Sequence, residues 1–457
     1  MFEQFDGKKV AILGLGVEGI SSLKFFKENG AEVAVKDQKE EGDVDQVILT
    51  EAKAYTSDFR FGSTYLQNLL VYDSIVRAPS IRPDKPELLE ASHNGVKITS
   101  NVKTFFDICP AKIIGVTGTK GKGTTTALIG EMIKKAGFRT FVGGNIGKPP
   151  LDFINELGTD NWVVLELSSF QLMDIEKSPH IAVVLMVTSE HLDWHKDTTE
   201  YIEAKINIVS HQKKEDYSVI NVDYLGSSGF SDKTLSQKVY VSLHREQDNG
   251  VYVKNEIITR TLKGKTEEIL PTKEIFLRGN HNVENIAAAA AAASIAGVSA
   301  NEIAEVARTF KGLPHRLEFV REVSGVKYYN DSFSTTPETA VAAIKSFTEP
   351  LIIILGGSVK NSDYRELGKE VANAKNIKGI ILVGETGPKI RQAIESFEDL
   401  ECEMVEGAKS VQEIVLAARS LSTSGDVVLL SPASASFDMF KNYKDRGEQF
   451  KEAVNEI

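Results

Sequence analysis

Nine consecutive residues, Gly118-Thr119-Lys120-Gly121-Lys122-Gly123-Thr124-Thr125-Thr126, gather glycines, ammonium groups and hydroxyls in one short stretch. They follow the apolar run Ile113-Ile114-Gly115-Val116 and precede a helix-like segment from Ala127 to Ala136. A strand, a glycine-rich turn and a helix start aim backbone N–H groups at a phosphate, and the helix end adds partial positive charge. Lys122 can reach the β- and γ-phosphates of a nucleotide, and a nearby hydroxyl can hold Mg²⁺. The competing reading is a surface turn rich in Gly and Thr, and the strand-before, helix-after context argues against it. The loop departs from the general phosphate-loop pattern. Gly115 to Gly121 is one residue too long, and Gly123 replaces the hydroxyl residue directly after the lysine. Thr124 or Thr125 must then supply the oxygen for the metal.

Three further side chains can take part in phosphate chemistry. Glu166 closes the strand-like run Trp162-Val163-Val164-Leu165, where an acid can hold the nucleotide's Mg²⁺ directly or through water. His191 follows the run Ile181–Val187 and stands beside Glu190, Asp193 and His195. That company makes it a candidate ligand, although a lone histidine is more often structural. Lys205 lies in Tyr201-Ile202-Glu203-Ala204-Lys205-Ile206, and its spacing alone reads as a lysine on a solvated helix face.

A second glycine-rich turn lies near the start. The strand Lys9–Leu13 runs into Gly14-Leu15-Gly16-Val17-Glu18-Gly19, an amphipathic helix to about Asn29, and a strand Glu32–Val35 ending near Asp37. This is a dinucleotide-type unit, with Asp37 where a ribose-binding acid belongs. Alone it reads as NAD binding, but the same turn holds any diphosphate at a helix N-terminus.

These side chains need a scaffold, and the pattern predicts an α/β one. Buried strands alternate with helices, which implies largely parallel sheets covered on both faces. Functional residues at the C-terminal ends of strands fit the usual ligand position in such sheets. From about Ser210 to Leu277 the pattern turns shorter and more β-like, and a long helix begins at Asn282 with the tightly packing run Ala287–Ala293. Past Gly312, strands at Leu351–Leu355, Gly379–Val383 and Val427–Leu430 suggest another doubly wound domain. A length of 457 residues accommodates about three domains, placed at 1–104, 105–311 and 312–457. The formal charge of −11 argues against general binding to nucleic acid or a membrane surface. There is no membrane-spanning apolar run and no basic-then-apolar leader, and the two cysteines, Cys109 and Cys402, are far apart. The expected setting is the cytoplasm.

A series of motifs carries a resemblance. Gly118-Thr119-x-Gly121-Lys122 is followed by Gly143-Gly144-Asn145-Ile146-Gly147, Leu165-Glu166-Leu167-Ser168-Ser169-Phe170-Gln171, Glu190-His191-Leu192-Asp193 and Ala204-Lys205. Then come Gly279-x-His281-Asn282-x-x-Asn285, Gly312-Leu313-Pro314-His315-Arg316, Asn330-Asp331-Ser332 and Ser431-Pro432-Ala433-x-Ala435-Ser436-Phe437-Asp438. In this order, over nearly the whole chain, the set resembles the Mur ligases of peptidoglycan synthesis.

The resemblance implies three domains: an N-terminal Rossmann-like UDP-sugar domain, a central phosphate-loop ATPase-like domain and a C-terminal Rossmann-like amino-acid domain. It implies an ATP-dependent ligase working through an acyl phosphate. ATP would meet Gly118, Thr119, Lys120, Gly121, Lys122, Gly123, Thr124, Thr125, Asn282, Asn285, Arg316 and Asp331. Two Mg²⁺ ions would be held, one by Thr124 and Glu166, the other by His191 and a Lys205 carbamylated by CO₂. Catalysis would rest on Lys122, Lys205, His191 and Glu166. Gly14, Leu15, Gly16, Asp37, Asn145 and Ser168 would contact the UDP-sugar, and Thr335, Lys360, Ser436, Phe437 and Tyr443 the incoming amino acid. The implied partners are small molecules (UDP-N-acetylmuramoyl-L-alanine, glutamate and ATP), handled by a monomer without nucleic acid or membrane.

The chain also departs from the family. After Asp331-Ser332 the usual Lys-Ala-Thr-Asn is Phe333-Ser334-Thr335-Thr336, so a lysine near the amino-acid site is missing. Glu18 replaces a small hydroxyl residue, so the loop's backbone should bind the diphosphate. Ser80 stands where glycine is common. The Asp-Ser-x-Ser-Thr-Thr-Pro stretch also resembles a branch that adds L-glutamate, whereas Lys360 and Ser436 to Tyr443 favour D-glutamate. A folylpolyglutamate synthetase would carry its phosphate loop near the start of the chain. An NAD-dependent oxidoreductase leaves the second loop unexplained. A silent nucleotide-binding scaffold does not account for Lys122, Glu166 and His191 together.

Overall fold

Strands that are apolar on both faces must be covered on both faces, and those of this chain are. In the computed structural model, which describes residues 2–359, 362–397 and 402–457, three sheets form. The first comprises β1 (Lys9–Leu13), β2 (Glu32–Asp37), β3 (Phe59–Phe61), β4 (Ser74–Arg77) and β5 (Lys97–Thr99), ordered β3-β2-β1-β4-β5 and parallel throughout. Its order reverses beside β1, so the loop after β1 opens at the crevice where α/β sheets bind ligands.

The second sheet holds β6 (Lys112–Thr117), β7 (Thr140–Gly144), β8 (Trp162–Glu166), β9 (Ile181–Val184), β10 (Tyr217–Asn221), β11 (Gln237–Ser242), β12 (Gly250–Lys254), β13 (Ile257–Leu262) and β14 (Lys265–Pro271). Its order is β14-β13-β12-β11-β10-β9-β6-β8-β7. β8 and β9 are wholly buried on either side of β6, which places the ends of all three together. The segment that reads as more β-like past Ser210 supplies β10 to β14, of which β12 to β14 run antiparallel. Their connections are two-residue turns, Asn255-Glu256 and Lys263-Gly264, with every turn residue at positive φ, as tight hairpins require.

The third sheet is formed by β15 (Glu318–Val323), β16 (Val326–Asn330), β17 (Leu351–Gly356), β18 (Ile377–Val383), β19 (Glu403–Val405) and β20 (Val427–Leu430), ordered β15-β16-β20-β17-β18-β19. Only the β15–β16 pair is antiparallel.

By its contacts the chain divides into two units. One comprises the chain through Glu274 together with Glu284–Arg308; the other comprises Ile275–Val283 and Thr309–Ile457. The first and second sheets therefore share a unit. The alanine run lies in the helix Asn280–Ile295, where Ala287 to Ala293 are all buried. Small side chains there let neighbouring elements approach closely.

Within the first unit a polar bolt joins the two sheets' subdomains. Arg77, at the end of β4 and without exposed side chain, pairs with Asp174 through Nε and Nη2 and also donates to the carbonyl oxygens of Ile81 and Phe170. A buried guanidinium is tolerable only when its donors are taken up in this way. Arg82 adds a second bridge, with Nη2 2.8 Å from Glu200 Oε1 and its cation over the Trp194 ring. Among the described residues no helix is long and apolar enough to cross a membrane.

Candidate active site

The phosphate loop leaves β6 and enters the helix Lys122–Lys135, whose first helical residue is Lys122 itself. The turn depends on glycine at Gly121: its φ is +85°, and a Cβ there would lie 2.3 Å from Asn285 Oδ1. Lys122 folds back, with Nζ 3.1 Å from the carbonyl oxygens of Gly118 and Thr119. Thr119 is buried and accepts from Thr188 N, and its Oγ1 is 3.0 Å from the Tyr201 hydroxyl. Thr125 Oγ1 donates to Asn285 Oδ1 at 3.3 Å. Of the two hydroxyls left open by the sequence, Thr125 is thus engaged with Asn285.

Lys205 is where spacing misleads. It is not on a solvated face but 1% exposed, on the helix Thr198–Ser210 that Asp197 caps. Its Nζ is 3.0 Å from Gly118 O and 3.3 Å from Thr117 Oγ1, directly under the loop, and 4.7 Å from the Tyr201 ring. Burial, and then the neighbouring Lys122 charge, hold its ammonium well below the usual lysine range, against the weaker pull of Glu190 and Glu166. The cause is desolvation, which disfavours the charged form. Burial thus shifts this amine toward its neutral form.

Glu166 ends β8 opposite Val116 of β6. Its Oε1 accepts from Asn145 Nδ2 at 2.8 Å, while Oε2 is buried with no hydrogen-bond partner. A carboxylate oxygen left without a donor beside a phosphate loop fits a hard divalent cation, which takes oxygen ligands.

Lys120 pairs with Glu190 at 2.7 Å. Burial alone would raise the Glu190 carboxyl, but that bond and the charges of Lys120, Lys122 and His191 hold it below its ordinary value. His191 sits at φ +58°, with its ring 4.9 Å from Phe170 and Nε2 3.8 Å from Glu190. The other members of its sequence cluster do not join it. His195 is buried, its Nε2 2.9 Å from Ser169 Oγ, its ring stacked on Phe170, and burial lowers its pKa. Asp193 is exposed. Among the described residues no three His, Cys, Asp or Glu side chains gather to hold a metal.

At the N-terminal loop, Gly14 adopts φ +88°, and a Cβ on Gly19 would lie 2.1 Å from Gly14 O, so the turn packs directly on its helix. Asp37 Oδ2 accepts from Leu15 N at 2.6 Å and Oδ1 from Lys39 N at 2.8 Å. This acid shapes the loop with both oxygens. Gly16 is the N-cap of the helix Val17–Glu28. Glu18 turns toward the central subdomain, where Gln171 Nε2 donates to Oε1 at 2.6 Å. Ser168 caps the short helix Ser169–Leu172 in a reciprocal arrangement with Gln171. Asn145 is exposed, and its backbone N–H donates to Glu166 O.

In the second unit, Asn282 Nδ2 donates to Arg278 O at 2.7 Å. Asp331 is buried and accepts from Leu317 N, Ser334 Oγ and Ser431 Oγ. Burial lifts its carboxyl to about 6 despite those bonds. Arg316 lies over the Phe333 ring, and Tyr443 meets that ring edge-on. Ser436 is buried, Phe437 is 74% exposed, and the Thr335 N–H donates to Phe333 O. Lys360 lies outside the described residues.

Sequence reasoning overlooked Tyr201, Arg77 and the Lys120–Glu190 pair. Tyr201 was recoverable, because it precedes Lys205 by one helical turn and shares its face. The partner of Arg77 lies 97 residues away, with no local signal.

Three family models match parts of the chain. Residues 8–100 match the Mur ligase MurD-like N-terminal domain, 116–293 the Mur ligase middle domain and 315–434 the Mur ligase glutamate ligase domain. A UDP-N-acetylmuramoylalanine--D-glutamate ligase from Clostridium botulinum (strain 657 / Type Ba4) is 41% identical over 98% of this chain and 97% of its own length. One of the same name from Acetivibrio thermocellus is 40% identical over 100% and 98%. Among solved structures, UDP-N-acetylmuramate-alanine ligase from Thermotoga maritima has a TM-score of 0.61 at 16% identity, over 98% of this chain and 99% of its own. A MurF ligase from the same organism in complex with ADP gives 0.57 at 16%, over the full length of both.

Proposed function

Because the chain belongs to the Mur ligase family and is an ATP-dependent, amide-bond-forming ligase, we propose that it joins D-glutamate to UDP-N-acetylmuramoyl-L-alanine through an acyl phosphate, in peptidoglycan synthesis. The segments 1–104, 105–311 and 312–457 serve the UDP-sugar, ATP and the amino acid respectively. The protein acts as a cytoplasmic monomer on small molecules. The observation that carries the reading is the set grouped at one loop: Lys122 folded over it, the buried Lys205 amine beneath it and the unpartnered Glu166 oxygen beside it.

A free carboxylate is a poor electrophile, so it must first gain a leaving group. Its oxygen attacks the γ-phosphorus of ATP, the bond to the β-phosphate oxygen breaks, and ADP departs. The amine of D-glutamate then attacks the acyl carbon, loses a proton and expels phosphate. Two bound Mg²⁺ ions would offset the charge on the transferring phosphoryl group. The chain's own residues do the positioning. The N–H groups of Gly121, Gly123 and their neighbours face the phosphates, with Lys120, Thr119 and Thr125 shaping the loop. Lys122 and Arg316 neutralise charge as the phosphoryl group moves. Asn282, Asn285 and Asp331 contact the adenine, ribose or phosphates of ATP. Thr124 and Glu166 would hold one cation, and His191 and Lys205 the other, with Lys205 as a carbamate.

A carbamate on Lys205 is chemically consistent with its setting. Only a neutral amine adds CO₂, and burial favours the neutral form. Addition of CO₂ to that amine forms an N–C bond and releases one proton, which turns the side chain into an oxygen ligand and leaves one N–H for Gly118 O. Gly14, Leu15, Gly16, Asp37, Asn145 and Ser168 would contact the UDP-sugar, and Thr335, Lys360, Ser436, Phe437 and Tyr443 the incoming amino acid.

The acyl phosphate is tested by labelling the substrate carboxylate with ¹⁸O. The route requires one labelled oxygen to leave in the inorganic phosphate. Phosphate free of label would overturn it.

A further inference from the structure

Phe333 occupies the position at which the resembling family carries a lysine, and the proposed reaction does not account for it. Its ring lies under a cation: Arg316 Cζ is 3.8 Å from the Phe333 centroid. That is well inside the distance at which a guanidinium is held by the negative face of an aromatic ring. The ring is itself fixed. Tyr443 meets it edge-on, centroids 5.1 Å apart at 89°, and Phe333 N donates to His315 O at 3.0 Å.

The backbone around Arg316 is held in an uncommon form. His315 has φ +64° and Leu317 φ +44°, so two non-glycine residues in the left-handed region flank the arginine. Several contacts lock them there. His315 N donates to Glu318 Oε2 at 2.8 Å, Leu317 N donates to Asp331 Oδ1 at 3.1 Å, and the His315 ring is buried with Nδ1 3.0 Å from Asn330 Nδ2. Tyr443 closes the arrangement: it lies 6.0 Å from the His315 ring, and its carbonyl accepts from Ser332 Oγ at 2.7 Å. The strained backbone sets where the Arg316 side chain leaves the loop, and the Phe333 face sets where its charge ends. An ammonium at 333 would repel that charge, whereas a phenyl ring attracts it.

We propose that Phe333 is a positioning residue for this ligase, a neutral aromatic platform that holds the Arg316 guanidinium in register for the transferring phosphoryl group. This rests on the reading of Arg316 given above. Phe333 itself touches no reacting atom.

The test is steady-state phosphate release by the full-length protein with ATP, Mg²⁺, UDP-N-acetylmuramoyl-L-alanine and D-glutamate. The variants are Phe333→Leu, Phe333→Tyr, Arg316→Ala and the Arg316→Ala/Phe333→Leu double. Leucine keeps apolar bulk and removes the π face; tyrosine keeps the face. The expected loss in kcat for Phe333→Leu is about fivefold, the factor that one cation–π contact of ordinary strength corresponds to. Phe333→Tyr should stay within about twofold of the parent, and the double variant should be no slower than Arg316→Ala, as coupled residues behave. A purely structural role would instead make Phe333→Leu as costly in the Arg316→Ala background as alone, and would overturn the proposal. So would full activity in Phe333→Leu alongside a crippled Arg316→Ala. Full activity in Arg316→Ala would overturn the reading of Arg316 and the proposal with it.

Discussion

Replacing Glu18 with glutamine should stabilise the folded chain at pH 8 far more than at pH 5. Glu18 sits in the first turn of the helix Val17–Glu28, with Oε1 bonded to Gln171 Nε2 and Oε2 buried without a partner. Burial outweighs the Gln171 hydrogen bond and the Arg77 charge, and lifts its carboxyl from 4.5 to about 7. The folded value lies above the unfolded one, so the folded chain binds the extra proton between them. Stability therefore falls as pH rises from the unfolded value through 7, and the whole penalty is present above it. A gap of ~2.5 units at ~1.4 kcal/mol each makes that penalty ~3 kcal/mol at pH 8 and ~1 kcal/mol at pH 5. Glutamine never ionises and still offers a carbonyl oxygen to Gln171. At ~2 °C per kcal/mol for a unit of this size, the variant should melt ~6 °C above the parent at pH 8 and ~2 °C above it at pH 5. Differential scanning calorimetry at the two pH values measures this. An equal gain at both, or a loss at pH 8, would refute the reasoning that burial of this carboxylate sets its cost.

Two further perturbations address the phosphate loop. Lys205→Ala should lower phosphate release by roughly 100-fold or more, the scale of losing one preorganised group that stabilises developing charge. Near-normal turnover in that variant would end the carbamate reading. Gly121→Ala forces a side chain to φ +85° and against Asn285 Oδ1. It should weaken ATP binding about tenfold, given ~1–3 kcal/mol for such strain, and titration with a non-hydrolysable ATP analogue reads it directly.

Much of the scaffold was legible because its signals are local. Ile113–Val116, Trp162–Glu166 and Leu351–Leu355 are short apolar runs bounded by turn residues, and each is a buried strand. The phosphate loop was legible for the same reason, since turn, glycines and helix start are contiguous. What failed depended on distant partners. The helix spacing around Lys205 is the same whether that face meets solvent or Thr117 and Gly118, and only the sheet decides. His195 stands beside His191 in sequence but is drawn away by Ser169 and Glu200. Glu18 reads as an acid facing the loop, yet Gln171, 153 residues on, turns it into the subdomain contact. Phe333 reads only as a missing lysine, and its meaning comes from Arg316 lying across it.

The reaction proposed for this ligase takes D-glutamate as the acyl acceptor. Purified protein with ATP, Mg²⁺ and UDP-N-acetylmuramoyl-L-alanine should be given D-glutamate in one tube and L-glutamate in another, with product mass and phosphate read in both. Phosphate release and a product heavier by one glutamyl residue are expected with D-glutamate alone. Turnover confined to L-glutamate would contradict the stereochemical assignment, and silence in both tubes would contradict UDP-N-acetylmuramoyl-L-alanine as the substrate.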